Sequence, residues 1–308
     1  MRRVVGVVGA TTAGKSDLAV ELALRLRAEG QPAEIVNADS MQLYRGMDIG
    51  TAKVTHAERR GVAHHLLGVL DVTEAADVAT YQRQSRAVID RLTSTGTVAI
   101  LVGGSGLYVR AALDQLEFPG TDPDLRATLE DELAREGSQT LYDRLRLQDP
   151  EAAERILPSN GRRLVRALEV IQLTGRPFSA SLPQYVYEIP AVQIGVDIPR
   201  DALDDRVERR VHRMWESGLV DEVRALERAG LRQGRTASRA LGYAQVLRHL
   251  AGECSEDAAV EDTILATRRF ARRQESWFRR DPRIQWVTHD RPDRVEAALE
   301  HLASPAHV

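Results

Sequence analysis

The sequence predicts an α/β protein, a parallel sheet flanked by helices and interrupted by a helical insertion. Three observations carry this. Residues 9–16 read G-x-x-x-x-G-K-S between an apolar run and a helical pattern, which is a phosphate-binding loop in its usual setting. Short apolar runs alternate with helix-length stretches along most of the chain. The block 121–185 has helical patterning and little strand signal, and the alternation resumes after it. Together they describe a P-loop NTPase-like core over 1–120 and 186–308, with a helical insertion domain at 121–185.

The elements follow in order. RVVGVVG at 3–9 reads as a buried strand. After the loop, a helix from about Lys15 to Ala28 places Leu18, Leu22 and Leu26 on one face. AEIVNADS at 33–40 is a second strand ending at Asp39, and TVAILVGGSGLYVRAAL at 97–113 reads strand, glycine turn, helix. In the insertion, DPDLRATLEDELAREG has an Asp-Pro start and a Gly stop, and NGRRLVRALEVIQLTGRP carries Leu164, Leu168 and Ile171 as its stripe. AVQIGVDI at 191–198 and IQWV at 284–287 are further strands, and the rest beyond Arg200 is mostly helical.

Length and composition set bounds. The chain has 308 residues, 43% apolar and 28% charged, which suits one large or two modest soluble domains. No apolar run approaches the roughly 20 residues of a membrane span. The N-terminal run leads straight into the phosphate loop, so it reads as a first strand rather than a signal peptide. One cysteine, Cys254, allows no internal disulfide and fits a reducing cytoplasm. No heptads or exposed apolar stripe are evident, so a monomer is expected. Of 42 basic residues 40 are arginine; lysine stands only at Lys15, in the loop, and at Lys53.

The loop is the strongest chemical signal. Its glycines let backbone N–H groups converge on phosphate oxygens, the following helix adds partial positive charge, Lys15 neutralises, and the Ser16 hydroxyl suits Mg²⁺. A nucleotide-hydrolysing protein of this kind places an Asp at a second strand tip. Here VAILV ends in GGSG, with no carboxylate, and no N-K-x-D stretch is present. The carboxylate at a strand end is Asp39, suited to act as a general base or metal partner, or as a turn cap with Ser40.

Downstream, DALDDRVERRVHRMWESGL puts Leu203, Val207, Val211 and Met214 on one face, with Arg210 at its border and Arg206, Arg209 and Arg213 further round. In TRRFARRQESWFRRDP, Arg268, Arg269, Arg272, Arg273, Arg279 and Arg280 fall on one arc of a helical wheel, opposite Ile264, Phe270, Ala271, Trp277 and Phe278. Such a stripe suits a phosphate backbone, or a solvated face paired with acids. Arg162, Arg163 and Arg166 form a second cluster. His64 and His65 would point to opposite faces of a strand and make poor paired ligands.

GATTAGKS, NADSMQLYRGMDIGTAK, HHLL, LVGGSGLY, RRLVRALEV, RVERRVHRM, SRALGY and RRQESWF occur in the order seen in tRNA dimethylallyltransferases, which the chain resembles from about Val4 to Trp286. The resemblance implies transfer of a dimethylallyl group from dimethylallyl diphosphate to N6 of the adenosine just 3′ of the anticodon, tRNA position 37. By the match, Gly9, Ala10, Thr11, Thr12, Ala13, Gly14, Lys15 and Ser16 hold the diphosphate with Mg²⁺, Asp39 takes the N6 proton, and Arg210 stabilises the leaving group. Asp39, Ser40, Met41, Gln42, Ser105, Arg126, Arg162, Arg163, Leu164, Val165, Arg166, Arg239, Ala240, Leu241, Gly242, Tyr243 and Ala244 fall where the family contacts tRNA. Arg268, Arg272 and Arg273 would hold the anticodon stem-loop by its phosphates.

The chain departs from the family loop, G-P-T-A-S-G-K-[ST], at Ala10, Thr12 and Ala13, so a contact made by the family's loop serine is lost or moves to Thr12. Ala63 stands where the family often has proline. Other readings are prenyl transfer to a free adenine nucleotide, a P-loop small-molecule kinase, and a non-catalytic RNA-binding protein. Two arginine clusters and an insertion exceed what a small acceptor needs, and a kinase lacks its second-strand carboxylate.

Overall fold

The computed structural model describes residues 4–181 and 185–303. Arg3, the first residue of the expected first strand, and residues 182–184 of the insertion lie outside them. The described residues fall into two compact units, one within 1–113 and 187–308 and the other within 114–186.

In the first unit the chain runs β1 (Val4–Val8), α1 (Lys15–Ala28), β2 (Ala33–Asn37), β3 (His64–His65), α2 (Val78–Ser94), β4 (Val98–Gly103) and α3 (Gly106–Leu113). In the second come α4 (Pro123–Glu136), α5 (Ser138–Gln148), α6 (Pro150–Arg155) and α7 (Gly161–Thr174). The first unit then resumes with β5 (Ala191–Asp197), α8 (Arg200–Glu216), α9 (Leu219–Arg228), α10 (Tyr243–Leu250), α11 (Glu256–Phe278), β6 (Ile284–Thr288) and α12 (Arg294–Ala303).

The six strands make one sheet in the order β3-β2-β4-β1-β5-β6, with every pairing parallel. Parallel strands covered on both faces are apolar throughout, and β1 and β4 are buried along their whole length. Val5, Val7, Ile100 and Ile194 meet Leu18, Leu22 and Leu26 of α1 in one core. The predicted stripe of α8 (Leu203, Val207, Val211 and Met214) is buried as a set. His64 and His65 take separate partners, the Val62 carbonyl and the Glu34 carboxylate, as opposite faces of a strand require.

Because the strands are parallel, the carboxyl ends of β1, β2 and β4 emerge together. They lead into the phosphate loop, the Ala38–Ser40 turn and the Gly103–Ser105 turn. Gly103 makes this convergence possible. A Cβ there would lie 2.2 Å from the Ala38 carbonyl oxygen, so only glycine lets the β4 tip pass this close to the β2 tip.

The second unit has its own core, in which Leu129, Leu141, Leu145, Leu164 and Leu168 are buried. The Asp122 side chain caps α4 by accepting from the N–H groups of Asp124 and Leu125. Gly137 ends that helix, as the Asp-Pro start and Gly stop predicted.

Candidate active site

A cleft of about 960 Å³ opens at the carboxyl ends of the strands in the first unit. One wall is the phosphate loop and the start of α1, with Thr11, Thr12, Gly14, Lys15 and Ser16 facing in. The Lys15 ammonium donates to the Ala10 carbonyl at 2.6 Å, an acceptor it shares with the Ala13 N–H at 3.3 Å. Burial pushes Lys15 down to about 8, opposed by Asp39 and reinforced by Arg210. Thr12 has φ 64°, a left-handed conformation costly for a β-branched residue, and its buried Oγ1 has no partner among the described residues.

Asp39 follows β2 and faces this loop across the cleft. Its backbone N–H donates to Asn37 Oδ1 at 3.0 Å, and Asn37 Nδ2 donates back to the Asp39 carbonyl at 2.9 Å. The Asp39 Oδ1 accepts the Met41 N–H at 2.9 Å, while Oδ2 has no hydrogen-bond partner among the described residues. The side chain is therefore a turn cap through one oxygen and an unengaged acceptor through the other.

Arg210 comes from the middle of α8. Its guanidinium bridges two loops, donating to Thr11 Oγ1 at 3.2 Å and to the Thr51 carbonyl at 3.1 Å. Burial lowers its pKa and Asp39 counteracts this. Arg206, Arg209 and Arg213 also line the cleft, which their positions beyond the stripe's border did not suggest. The cleft runs along the flank of α8, so the whole flank faces it. Arg206, Arg210 and Arg213 at i, i+4, i+7 spacing are the signal that marks such a flank. Lys53 lines the cleft too, but its ammonium is held by the Tyr44 carbonyl and Asp48 Oδ1, both at 2.6 Å.

Gln274 escapes sequence reasoning altogether. It sits among the arginines of α11 yet is buried. Its Oε1 accepts the Thr11 N–H at 2.8 Å and its Nε2 donates to the Gly104 carbonyl at 2.8 Å. It ties the phosphate loop to the β4 tip, the place where a nucleotide hydrolase would carry its carboxylate.

This arrangement can hold a diphosphate against N–H donors, an ammonium and guanidinium groups, with an open carboxylate oxygen opposite. A family profile described as IPP transferase matches residues 42–281. The chain belongs to the IPP transferase family. It is 67% identical over 299 residues to the tRNA dimethylallyltransferase of Thermobifida fusca, covering 97% of this chain and 94% of that protein. It is 64% identical over 294 residues to that of Streptomyces avermitilis, covering 96% and 93%. Among solved structures, the full-length tRNA isopentenylpyrophosphate transferase of Bacillus halodurans superposes with a TM-score of 0.72 at 37% identity, covering 98% of this chain and 96% of that one. A eukaryotic dimethylallyltransferase at 23% identity shares the fold, with a TM-score of 0.82.

The residues that the resemblance assigned to tRNA divide into two groups. Met41, Gln42 and Ser105 are half-buried beside Ser40, whose N–H donates to Ser105 Oγ at 3.3 Å. Arg162, Arg163 and Arg239 are exposed, and Leu241 and Ala244 are half-buried. Leu164 and Val165, in contrast, are buried in the core of the second unit. Ala240 and Tyr243 are buried in the core of the first, where their side chains cannot reach a macromolecule, and Gly242 is buried between Leu241 and Tyr243.

Arg126 and Arg166 converge on the buried carboxylate of Glu169. Burial pushes that carboxyl up, but the two arginines outweigh it and hold it below the usual carboxylate value. Arg166 also donates to the Pro119 and Gly120 carbonyls. Both arginines therefore complete the insertion's own fold.

The stripe on α11 is shorter than the wheel implied. The helix ends at Phe278, so Arg279 and Arg280 lie beyond it. Arg268 pairs with Glu208 at 2.7 Å, and Arg279 pairs with Asp197 and stacks 3.9 Å over the Trp286 ring. Arg269, Arg272, Arg273 and Arg280 have no acidic partner among the described residues. Trp277, expected on the packed face, is 42% exposed.

Proposed function

We propose that the protein transfers a dimethylallyl group from dimethylallyl diphosphate to N6 of the adenosine 3′ of the tRNA anticodon, releasing diphosphate. The observation that carries this reading is Asp39. One of its oxygens is fixed by a turn and the other has no hydrogen-bond partner among the described residues, in a cleft that Lys15 and Arg210 also line and whose β4 tip lacks a carboxylate. That pairing suits an allylic displacement better than nucleotide hydrolysis. The names borne by the relatives, tRNA dimethylallyltransferase and tRNA isopentenylpyrophosphate transferase, support tRNA as acceptor.

In the proposed step the bond between the allylic carbon and the diphosphate oxygen breaks, and a bond from N6 to that carbon forms. Negative charge grows on the departing oxygens, which the loop N–H groups, Lys15 and Arg210 stabilise. The proton lost by N6 passes to the open oxygen of Asp39. Reaching this cleft requires the adenine to leave its stack, so the base enters flipped.

A divalent cation fits the donor set in part. Ser16 offers a hydroxyl to the cleft, but no group of three metal-ligating side chains exists among the described residues. Mg²⁺ held by Ser16 would therefore take its remaining ligands from diphosphate and water, adding charge neutralisation at the leaving group.

Incubation with labelled dimethylallyl diphosphate, Mg²⁺ and unmodified tRNA is expected to label the tRNA, with AMP and ATP failing to compete. Asp39→Ala is expected to lower the single-turnover rate by roughly 10²–10⁴-fold with tRNA affinity preserved. Unlabelled tRNA, or a full rate in Asp39→Ala, refutes the assignment. No helix among the described residues is long and apolar enough to cross a membrane.

A further inference from the structure

The loop that hands Arg210 its carbonyl is itself held by a distant carboxylate. Glu222, on α9, accepts three successive backbone N–H groups: Asp48 at 3.1 Å and Ile49 at 2.8 Å on Oε2, and Gly50 at 3.3 Å on Oε1. The same Oε1 accepts the Tyr243 hydroxyl at 2.5 Å. One residue beyond this nest, the Thr51 carbonyl accepts from Arg210 and the Thr51 hydroxyl donates back to the Met47 carbonyl at 2.6 Å. Gly50 completes the fit, since a Cβ there would lie 2.5 Å from the Tyr243 ring.

We propose that Glu222 and Tyr243 are positioning residues for transfer: they hold the Asp48–Thr51 turn so that its carbonyl fixes the Arg210 guanidinium against the phosphate loop. This rests on the role given to Arg210 above. Arg210 is otherwise a long side chain with many rotamers, anchored at its far end by a hydroxyl and a carbonyl. A carboxylate collecting three N–H groups makes charge-assisted bonds, stronger than neutral ones, and sets the direction of the next carbonyl. A full carboxylate is needed, because the amide end of a glutamine would face N–H donors with N–H donors of its own. Tyr243, in a segment that the resemblance assigned to tRNA, thus acts on the diphosphate end of the site through Glu222.

The test is a double-mutant cycle on single-turnover kcat/KM for dimethylallyl diphosphate, with tRNA saturating. Arg210→Ala alone is expected to cost on the order of 10²–10³-fold. Glu222→Gln alone is expected to cost roughly 10–100-fold, and less than about twofold when added to Arg210→Ala, because residues acting as a unit are not additive. Tyr243→Phe, which keeps the ring against Gly50, should behave the same way with a smaller single effect, and it carries the cycle alone if Glu222→Gln does not fold. In each variant tRNA affinity should be unchanged. Costs that multiply in full across the cycle, or a tRNA affinity that falls in Tyr243→Phe, overturn the proposal. An Arg210→Ala enzyme with normal turnover overturns it as well, and separately refutes the role assigned to Arg210.

Discussion

Gln274 accepts the N–H of Thr11 at 2.8 Å, across 263 residues of sequence. The second residue past Gly9 in the phosphate loop is thereby held by the helix that also carries Arg272 and Arg273. The other end of the same amide donates to Gly104. Gln274→Leu removes both bonds from a buried site and leaves the Thr11 N–H and the Gly104 carbonyl unpaired. The expected outcome is a KM for dimethylallyl diphosphate raised roughly 10–100-fold, since small misplacements of a binding loop are costly. Filter-binding affinity for tRNA should stay within about twofold, because the arginine face of α11 is untouched. Loss of tRNA binding with an unchanged donor KM contradicts this.

The Lys15 ammonium sets a pH limit. Burial brings it to about 8, so the free enzyme loses this cation as pH rises through that value. Diphosphate binds the protonated form, and kcat/KM for the donor should fall above pH 8 toward a log slope of about −1. Once bound, the diphosphate favours the charged lysine, so kcat should stay flat across the same window. Lys15→Arg should lose the alkaline limb of kcat/KM at whatever activity it retains, an arginine being cationic throughout. A limb that persists in Lys15→Arg assigns the ionisation elsewhere.

The legible parts of this molecule are those whose chemistry is local. The loop, α1 and the bare β4 tip each depend on residues close together in sequence, and Asp39 could be placed because strands of a parallel sheet open at one end. What stayed hidden depends on long-range partners. Gln274 reads as one more polar residue in an arginine-rich helix until Thr11 and Gly104 are seen beside it. Glu222 takes N–H groups from a turn 172 to 174 residues earlier in the chain. The arginines from Arg268 to Arg280 were readable as a stripe, but Glu208 and Asp197, which engage Arg268 in α11 and Arg279 just past it, come from other elements. The resemblance assigned Arg126 and Arg166 to tRNA, but both pair with Glu169, which is 43 residues from Arg126, three from Arg166, and on the buried face of its helix.

The division within the arginine stripe predicts a split in salt behaviour. Arg272 and Arg273 have no acidic partner among the described residues, and Arg273 stacks 5.9 Å over the Phe270 ring. Arg272→Ala with Arg273→Ala should weaken tRNA binding at low salt and reduce the slope of log K against log salt by roughly 1–2. Arg279→Ala, in contrast, removes a partner of Asp197 and Trp286, so it should lower stability more than it alters the salt slope. An unchanged slope in the double variant means that this face does not meet the phosphate backbone.

Gly103→Ala tests whether the strand tips converge as closely as described. The added methyl would sit 2.2 Å from the Ala38 carbonyl oxygen and 2.3 Å from its carbon. Both are backbone atoms of the β2 tip, which is anchored by the Ala38 N–H on the Val102 carbonyl at 2.7 Å, so neither a rotamer change nor a side-chain shift relieves the clash. The strands must separate, at a cost near or above the upper end of the about 1–3 kcal/mol typical of overpacking. Denaturant unfolding should show that loss as a lower midpoint at constant slope. Because Asp39 adjoins Ala38, variant protein that remains folded should also turn over more slowly at saturating donor. A variant as stable and as active as the wild type would mean that the β2 and β4 tips stand further apart than this packing requires.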